Sequence, residues 1–514
     1  MNIVICGGGT AGWLSAFIFA RANPFQHNIT VVESSKIGII GAGEASSGLI
    51  IDLLSGYHFN NNKALSLDKK EIDIIDFIEK TDGVPKYALK HINWAKDKSY
   101  YFAPVVGTIT PKSTPDHIFN YVISEYGVEK AHLASDTGQA YEANKYPVKG
   151  DFGLHFDAFK VGEYVKNYLV KYYNVKCIDS TIKNVNLKSN GFIESLSLEN
   201  NALVSGDLFV DCTGFQKILA NKLNVKWHSY KKYLPVDRAM PFLINYEKNT
   251  KIKPYTEAEA LSSGWMWRTA LTSRKGCGYV YSSDFISEED AQKEAEKIMG
   301  HPIQPIKHLK FDSGRVEQIL KNNCLISGLA SSFIEPLEAT SIHATIVQVY
   351  TFCKEYLTSN IETTLSPPNV KSYNDIMIKT LENYLDFTVL HYQGGREDSN
   401  FWKYIKNEKL ITPFVENYIE RAKVRIPTAL HFTDELWGAN DLWKWSLAGL
   451  NLINADMAKE ELIQFDMYEY SKTMYKLFKE DSDKTLKDVQ NAFEIDLNIP
   501  VSNYLKNFYN LVNT

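Results

Sequence analysis

The sequence predicts an α/β fold with a parallel sheet, a separate β-sheet region and a mostly helical C-terminal part. Three observations predict it. Residues 3–22 run from an apolar strand through a glycine turn into a helical pattern. Residues 175–204 alternate like a β-meander and lead into a buried strand that ends in a second glycine turn at Gly214. From about residue 370 onward the pattern is helical and rich in aromatic residues.

The chain shows no internal repeat, low-complexity tract or flexible linker. We therefore expect residues 1–370 to form a core with an inserted β-meander, and residues 371–514 to form a helical subdomain packed on it. Within the meander, Asn190-Gly191 is a hairpin turn signal. Residues 100–150 are rich in Tyr and Pro, which predicts irregular surface structure.

Composition limits the class of protein. The 514 residues suffice for a large core, and 44% hydrophobic and 23% charged residues are ordinary for a soluble protein. A net charge of −5 without a basic stripe argues against a nucleic-acid partner. The first strand begins almost at Met1 and no apolar run approaches about 20 residues, so we expect no signal peptide and no membrane span. Six scattered cysteines indicate reduced, mostly buried side chains in a cytoplasmic protein, without a metal site.

The N-terminal glycine turn fits the Gly-x-Gly-x-x-Gly pattern of a dinucleotide-binding strand, turn and helix. The first glycine permits a tight turn, the second lets backbone approach a pyrophosphate, and the third lets helix and strand pack closely. The second strand ends at Glu33, where a ribose hydroxyl would be held. A glycine turn without a ligand is the alternative. The residues predicted to bind the nucleotide in this turn are Gly7, Gly9, Thr10, Ala11 and Gly12.

A second glycine-rich loop follows, in residues 41–44. Gly41 and Ala42 let backbone close over a cofactor, whereas Glu44 is equally an acid at the start of a helix.

A third loop leads into a helix near residue 340. A strand enters a glycine turn at Gly328 and Leu329, and a loop with a proline follows. Thr340 and Ser341 are good residue types for a helix N-cap, so free backbone N–H groups should gather there. This predicts an anion site.

Two further segments have both a structural and a functional interpretation. The alternation of residues 84–94 places Lys86 and Lys90 on one face of a strand. Spacing alone favours solvated lysines over a functional ammonium. Trp265 and Trp267 point to the same side of a strand and form an apolar wall, for which ordinary core is the simpler interpretation.

Together these segments resemble the flavin-dependent halogenases, the group that includes the tryptophan halogenases. The resemblance covers nearly the whole chain. It implies an FAD-binding, GR2-type (two-dinucleotide-fold) flavoprotein core with a β-sheet substrate region and a helical C-terminal part. A strand that returns after a meander is common in such flavoproteins and seldom found in NAD enzymes. The segments that carry the resemblance are residues 7–13, 41–44, 86–94, 155–158, 264–267, 278–282 and 333–338.

The resemblance also implies a two-component halogenation. A separate flavin reductase supplies reduced FAD, which with dioxygen oxidises chloride, bromide or iodide to hypohalous acid. A lysine then holds or carries the halogen and directs it at a small electron-rich aromatic of indole, tryptophan or phenol type. By motif match this lysine is Lys86, with Lys90 as the alternative. Glu338 would polarise the halogen or take the ring proton. Trp265 and Trp267 match the pair that separates flavin from substrate.

The implied halide site is the backbone at Thr340 and Ser341. The chain departs from the family pattern at several positions, since Ser341 replaces a glycine, Ala339 a serine, residues 269–270 an Ile-Pro pair, and His91 a phenylalanine. These changes leave the halide and the substrate open, and the sequence also leaves a homo-oligomer open. The alternatives are a flavin-dependent aromatic monooxygenase and a non-catalytic flavin-binding protein.

Overall fold

The secondary structure is that of a computed structural model, which describes residues 1–21, 27–38, 44–55, 72–97, 99–104, 115–135, 138–139, 142, 152–247, 249–426, 439–487 and 495–496. Its strands, in chain order, are β1 (Asn2–Cys6), β2 (Asn28–Glu33), β3 (Glu44–Ala45), β4 (Val84–Lys86), β5 (Ala88–Ile92), β6 (Tyr100–Pro104), β7 (Gly153–Phe156), β8 (Lys176–Asp179), β9 (Ile182–Leu187), β10 (Ile193–Leu198), β11 (Leu203–Ser205), β12 (Leu208–Asp211), β13 (Trp227–Ser229), β14 (Arg238–Asn245), β15 (Lys251–Ile252), β16 (Tyr255–Ala260), β17 (Gly264–Ala270), β18 (Arg274–Tyr281), β19 (Leu309–Lys310), β20 (Gly314–Val316), β21 (Leu320–Lys321), β22 (Cys324–Ile326), β23 (Ser332–Phe333) and β24 (Ile495–Asp496).

The α-helices are α1 (Thr10–Arg21), α2 (Leu49–Ser55), α3 (Ile74–Lys80), α4 (Pro115–Tyr126), α5 (Ala158–Tyr173), α6 (Ile218–Lys222), α7 (Glu288–Met299), α8 (Thr340–Thr351), α9 (Ile361–Thr364), α10 (Pro367–His391), α11 (Asn400–Asn407), α12 (Pro413–Ala422), α13 (Ala439–Gly449), α14 (Ala455–Gln464) and α15 (Tyr468–Lys487). Short 3₁₀ segments cover Val128–Ala134, Gly214–Gln216, Gly328–Ala330 and Pro336–Glu338, and a π-helical turn covers Phe352–Tyr356.

The chain forms two units that alternate along the sequence. Unit 1 consists of Met1–Gly83, Phe156–Lys231 and Asp312–Leu385. Unit 2 consists of Val84–His155, Lys232–Phe311 and Asp386–Thr514. The sequence analysis instead expects a single boundary at residue 370, between a core and a helical subdomain. That boundary stays a prediction.

Unit 1 is organised around a six-stranded sheet in the order β21-β22-β12-β1-β2-β8. All neighbouring pairs are parallel except β21 and β22. Residues 3–6 of β1 are buried, as expected for the central strand of a parallel sheet that is covered on both faces. Helices α5 and α8 both pack against α1. The α/β fold of the sequence prediction, with β12 returning beside β1, is confirmed.

The meander of unit 1 begins slightly later than predicted. Strands β9, β10 and β11 pair antiparallel, and Gly191 takes a φ of +81° in the hairpin turn. The stretch before them, β8, instead pairs in parallel with β2. The meander is therefore confirmed for β9 to β11, while its insertion in a core of residues 1–370 stays a prediction.

Unit 2 contains a seven-stranded sheet in the order β19-β14-β18-β17-β16-β5-β6. Its strands pair antiparallel except for β16 and β5, which are parallel. Met266, Cys277 and Tyr279 lie in one buried cluster with Ala291 and Ala295 of α7. Through this cluster, helix α7 packs on one face of the sheet.

Residues 84–94 do not form the single strand that the alternation predicts. β4 pairs with β7, whereas β5 pairs with β16 and β6. The chain changes sheet at Tyr87, whose N–H donates to Pro254 O at 2.9 Å. The expectation of one continuous alternating strand is therefore wrong.

The expectation of irregular structure in residues 100–150 is wrong for the part that the structure describes. It contains β6, helix α4 and the 3₁₀ segment Val128–Ala134. Phe119, Val122 and Ile123 of α4 are buried, and α4 packs against α14 and α15. Tyrosine and proline content concealed this helical spacing.

The helical character after residue 370 is confirmed by α10 to α15. All six cysteines are free, and all except Cys177 are buried, which confirms the expected reduced state. Within the described ranges, no helix combines the length and the apolar character that a membrane crossing needs.

Candidate active site

The glycine turn between β1 and α1 has space for a ligand at one position. Gly7 has a φ of +113°, and a Cβ there would lie 2.2 Å from Cys212 O. A Cβ on Gly12 would lie 1.9 Å from Gly7 O. A Cβ on Gly9 would meet nothing within 4 Å. Close contacts within the protein therefore require glycine at positions 7 and 12. Gly9 instead borders open space, as expected of a turn that admits a pyrophosphate.

Backbone donors gather where α1 begins. The first intrahelical bond runs from Trp13 N to Gly9 O at 3.1 Å, so the N–H groups of Thr10 and Ala11 precede it. The turn at Gly328 lies against this end of the helix, because a Cβ there would lie 2.7 Å from Ala11 Cβ. Leu329 follows in the same 3₁₀ segment. The structure thus brings together predicted nucleotide residues that are more than 300 positions apart in the chain.

Glu33 is held by three side chains, none of which the sequence interpretation placed beside it. Trp13 Nε1 donates to Oε2 at 3.1 Å. Cys177 Sγ donates to Oε1 at 3.1 Å, and Lys166 Nζ donates to the same oxygen. Burial and the Glu33 carboxylate raise the pKa of the Cys177 thiol to about 11, so the thiol keeps its proton. Oε2 has one donor and two lone pairs, which leaves capacity for a ribose hydroxyl.

The structure describes little of the second glycine-rich loop. Gly41 and Ala42 lie outside the described residues, and only the backbone of Glu44 is described, at the start of β3. Their predicted cofactor contacts stay predictions.

The predicted halide site lies at the start of α8, but the helix cap differs from the prediction. The N-cap residue is Ala339, with a φ of +54° and no side-chain cap hydrogen bond. Thr340 and Ser341 are the first two helical residues, and the expectation that they cap the helix is wrong. Their backbone N–H groups have no acceptor within the helix, as an anion site requires. Glu338 is buried in the 3₁₀ turn just before Ala339.

His343, in the first turn of α8, was not identified from the sequence. Its Nδ1 is hydrogen-bonded to Ser47 Oγ at 2.8 Å, and its ring meets Tyr384 edge-on at 5.9 Å. Burial lowers the pKa of His343 to about 3, so this imidazole is neutral. A partner nearly 300 residues away leaves no local signal.

The paired tryptophans form the wall that the sequence predicted. Trp265 and Trp267 share a face of β17, with ring centroids 6.2 Å apart. Trp267 is opposite Gly278 in the register, and a Cβ on Gly278 would lie 2.0 Å from its ring. The ring therefore lies over the glycine backbone. Separation of flavin from substrate by this pair stays a prediction.

Lys86 and Lys90 have different surroundings, because the chain changes sheet between them. Lys86 is buried, with 2% of its surface exposed. Lys90 is half-buried, and its Nζ lies 4.5 Å from the ring centroid of Tyr100. In the register Lys90 is opposite Glu257, which is opposite Arg268 and bonded to it at 2.8 Å. Lys90 thus belongs to a cross-strand row of charges.

Two neutral imidazoles lie within electrostatic reach of Lys86. His155 Nδ1 donates to Ala270 O at 3.0 Å, and its Nε2 accepts from Thr256 Oγ1 at 2.8 Å. Burial and the Lys86 charge lower the pKa of His155 to about 3. Burial, a second imidazole and Lys86 also hold the pKa of His91 well below its usual value. A buried ammonium among neutral rings can donate hydrogen bonds to a polar electrophile.

Comparisons with known proteins agree with the fold and the motifs. A family model described as tryptophan halogenase matches residues 2–462. The tryptophan 6-halogenase SttH of Streptomyces toxytricini is 28% identical over 466 residues, covering 83% of this chain and 84% of the relative. A solved tryptophan halogenase from Shewanella frigidimarina has a TM-score of 0.80 at 24% identity, covering 95% of this chain and 98% of its own. Xcc4156, a flavin-dependent halogenase from Xanthomonas campestris, has a TM-score of 0.82 at 23% identity, covering 99% and 98%. These two structural likenesses, being below 25% identity, show the fold.

Proposed function

Because this chain belongs to the tryptophan halogenase family, we propose that it halogenates a small electron-rich aromatic of indole, tryptophan or phenol type. The chain is an enzyme, and flavin-dependent halogenases use reduced FAD, dioxygen and halide, with a separate reductase that supplies the reduced flavin. The observation that carries the proposal is the buried Lys86, which lies in the same unit as Trp265 and Trp267 and apart from the charged row of Lys90.

We assign the binding of the cofactor and of the halide to unit 1. The turn at Gly7, Gly9 and Gly12, with Glu33, would hold FAD. The backbone N–H groups at residues 340–341 would hold the halide. When bound, the reduced flavin supplies the chemistry that oxidises halide with dioxygen to hypohalous acid.

The remaining steps belong to side chains of this protein. Lys86 holds or carries the halogen, because its ammonium donates to the oxygen of hypohalous acid or its amine bonds to the halogen. Glu338 stabilises the cationic ring intermediate or takes the ring proton. Trp265 and Trp267 keep the substrate away from the flavin, which favours halogenation over hydroxylation.

The test is a product analysis with the complete system. The enzyme, a flavin reductase, FAD, NADH, oxygen and bromide are incubated with a panel of indoles, tryptophan and phenols, and products are read by mass spectrometry. We expect a monobrominated arene that disappears without bromide. A hydroxylated arene that forms without bromide would instead identify an aromatic monooxygenase, the alternative that the family departures at Ala339 and Ser341 favour.

A further inference from the structure

The carboxylate of Glu33 lies directly against the N-terminal glycine turn. A Cβ on Gly8 would lie 2.0 Å from Glu33 Oε2, so only glycine leaves room for this oxygen. This turn is the part of unit 1 that we assign to the pyrophosphate of FAD. A carboxylate beside a pyrophosphate brings like charges together, which weakens binding unless a cation offsets one of them. The structure provides such a cation in Lys166.

Helix α5 holds Lys166 beside the turn. Gly162 is one helical turn before Lys166 and therefore lies on the same face of α5. A Cβ on Gly162 would lie 3.9 Å from Gly8 O, so this face packs on the turn. At the start of α5, Thr10 Oγ1 donates to Ala158 O at 3.0 Å, which ties the helix to the start of α1. The packing of α5 on the turn therefore fixes the position of Lys166.

Lys166 and Cys177 together engage one oxygen of Glu33. Lys166 Nζ donates to Oε1, and Cys177 Sγ donates to the same atom at 3.1 Å. Burial alone would lower the pKa of Lys166, but its hydrogen bond to Glu33 raises this pKa above the usual value, so Lys166 is an ammonium. A carboxylate oxygen has about two lone pairs, and both lone pairs of Oε1 are therefore engaged. Among the described residues Oε2 accepts from Trp13 Nε1, which leaves it one lone pair.

We propose that Lys166 positions Glu33 and offsets its charge, and that Lys166 and Cys177 together restrict this carboxylate to one hydroxyl of the adenosine ribose. The proposal rests on the proposed function, in which the glycine turn and Glu33 hold FAD. Glu33 accepts the hydroxyl at Oε2, beside Gly8, because Oε1 is already engaged. A carboxylate without these donors could accept both hydroxyls, one at each oxygen. Lys166 is a positioning residue, since it acts on the nucleotide through Glu33.

The ion pair suits this task because neither partner is fully exposed. The exposed fraction of the side chain is 36% for Lys166 and 16% for Glu33. Solvent therefore screens this pair less than a pair on the open surface, and the ammonium offsets the carboxylate at close range. Lys166 Nζ also lies 5.8 Å from the ring centroid of Trp13, the residue that donates to the other oxygen. The three donors thus fix the orientation of the carboxylate.

The first experiment measures FAD affinity in a double-mutant cycle. FAD is titrated into the flavin-free protein, and its dissociation constant is read from flavin fluorescence. We expect Lys166→Met to weaken FAD binding at least about 5-fold, the upper value for an exposed charge pair. In the Glu33→Gln background the same change should have no effect, because no carboxylate charge remains to be offset. Parent-like affinity in Lys166→Met, or equal losses in both backgrounds, would mean that Lys166 does not act through Glu33 and would overturn the proposal.

Two further variants separate this role from folding. Lys160→Met removes a different ion pair of the same helix, in which Lys160 Nζ lies 2.7 Å from Asp82 Oδ2 and the side chains are 42% and 13% exposed. This matched control should bind FAD like the parent. Lys166→Arg keeps the charge and should keep most of the affinity. Circular dichroism checks that each variant is folded. Equal losses of affinity in Lys160→Met and Lys166→Met would show a general effect on α5 and would overturn the proposal.

The second experiment counts the ribose hydroxyls that Glu33 accepts. Two analogues of FAD are titrated, one without the 2′-hydroxyl of the adenosine ribose and one without the 3′-hydroxyl. For one analogue we expect binding about 10- to 100-fold weaker than that of FAD, the range for a lost hydrogen bond to a charged group, and Glu33→Ala should remove this difference. For the other analogue Glu33→Ala should leave the ratio to FAD unchanged. A difference that depends on Glu33 for both analogues, or for neither, would overturn the proposal.

The two proposals fail in different assays. If the cycle and the analogues behave as expected but the complete system makes no haloarene, the proposed halogenation is wrong and the inference stands. If the complete system makes haloarene while Lys166→Met binds FAD like the parent, the inference is wrong and the function stands.

Discussion

Gly9 differs from Gly7 and Gly12 because a Cβ added at Gly9 would not contact any atom of the described residues. We expect Gly9→Val to fold normally, since no atom lies within 4 Å of the added Cβ, but to lose FAD binding, because the side chain fills the space that a pyrophosphate needs. Gly12→Val is the matched control and should fail to fold, since its Cβ would meet Gly7 O at 1.9 Å. Flavin titration and circular dichroism read the two effects. Parent-like FAD affinity in Gly9→Val would contradict the assignment.

Lys86 and Lys90 provide a matched pair for testing the halogen relay. Lys86→Ala should still consume oxygen and reduced flavin but give no haloarene, because the ammonium acts only after hypohalous acid has formed. Lys90→Ala should keep its product and lose at most about 1 kcal/mol of stability, because interactions between partly exposed charges are typically worth about 0.2–1 kcal/mol. Oxygen uptake, product mass and urea unfolding measure these outcomes. The reverse pattern would move the relay to Lys90.

Glu338 should matter after the halogen has been delivered. Glu338→Gln keeps the shape of the side chain and removes its charge, so turnover to haloarene should fall about 10- to 1000-fold. FAD affinity should be unchanged. Glu335, three residues earlier and also buried, is the comparison, and Glu335→Gln should affect turnover less. Parent-like turnover in Glu338→Gln at saturating halide would make its carboxylate structural.

The roles of these residues stay predictions, and the sequence predicted their local conformation better than their surroundings. Gly7, Gly9 and Gly12 were predictable because all that defines the turn lies within about ten residues. The burial of Lys86 was not, because β4 pairs with β7 and contacts β16, whose residues lie far away in the chain. Lys166 and Cys177 reach Glu33 across more than 130 residues, and no local pattern announces such contacts.

Helices and strands that depend on consecutive residues were predicted, whereas features that depend on distant strands were missed. The sequence predicted β1, α1 and β2, because the patterns that indicate a strand, a glycine turn and a helix each lie in consecutive residues. Helix α4 was missed because tyrosine and proline content obscured its spacing. The break between β4 and β5 was also missed, since alternation continues through Tyr87 while the partner strand changes.

The contact between β17 and β18 predicts the effect of a single methyl group. Gly278→Ala should cost about 1–3 kcal/mol, because its Cβ would meet the Trp267 ring at 2.0 Å and that ring must move. Adding Trp267→Ala should recover much of this loss, since the obstructing ring is then absent. Urea unfolding of both single variants and of the double variant measures the coupling. Additive effects would mean that the ring does not lie over Gly278.

At the scale of the whole molecule, buried neutral histidines make stability depend on pH. The folded pKa values of His155 and His343 are about 3, below the usual value of 6.5. Between pH 3 and pH 6.5 these histidines are protonated in the unfolded chain but not in the folded chain. Their contribution to the free energy of unfolding is therefore complete above pH 6.5 and is lost as the pH falls toward 3. Each histidine should contribute up to about 1.4 kcal/mol per pH unit.

Urea unfolding between pH 7 and pH 4 tests this dependence. His343→Gln, which can keep a hydrogen bond to Ser47, should lower the slope by about one proton. Equal slopes for the parent and His343→Gln would show that His343 binds its proton in the folded chain as readily as in the unfolded chain.

The alternation of the two units along the chain constrains how the protein is made. β1 pairs with β12, and β12 pairs with β22, whose residues end at Ile326. From the end of β12 at Asp211 to Ile326 the chain grows by 115 residues, which takes a ribosome roughly 6–23 s at about 5–20 residues per second. During this time the stretch Lys232–Phe311 of unit 2 emerges while the sheet of unit 1 keeps an open edge at β12. Vectorial synthesis therefore exposes an unpaired apolar strand for many seconds, and slower growth or a chaperone that covers this edge should raise the yield of folded enzyme.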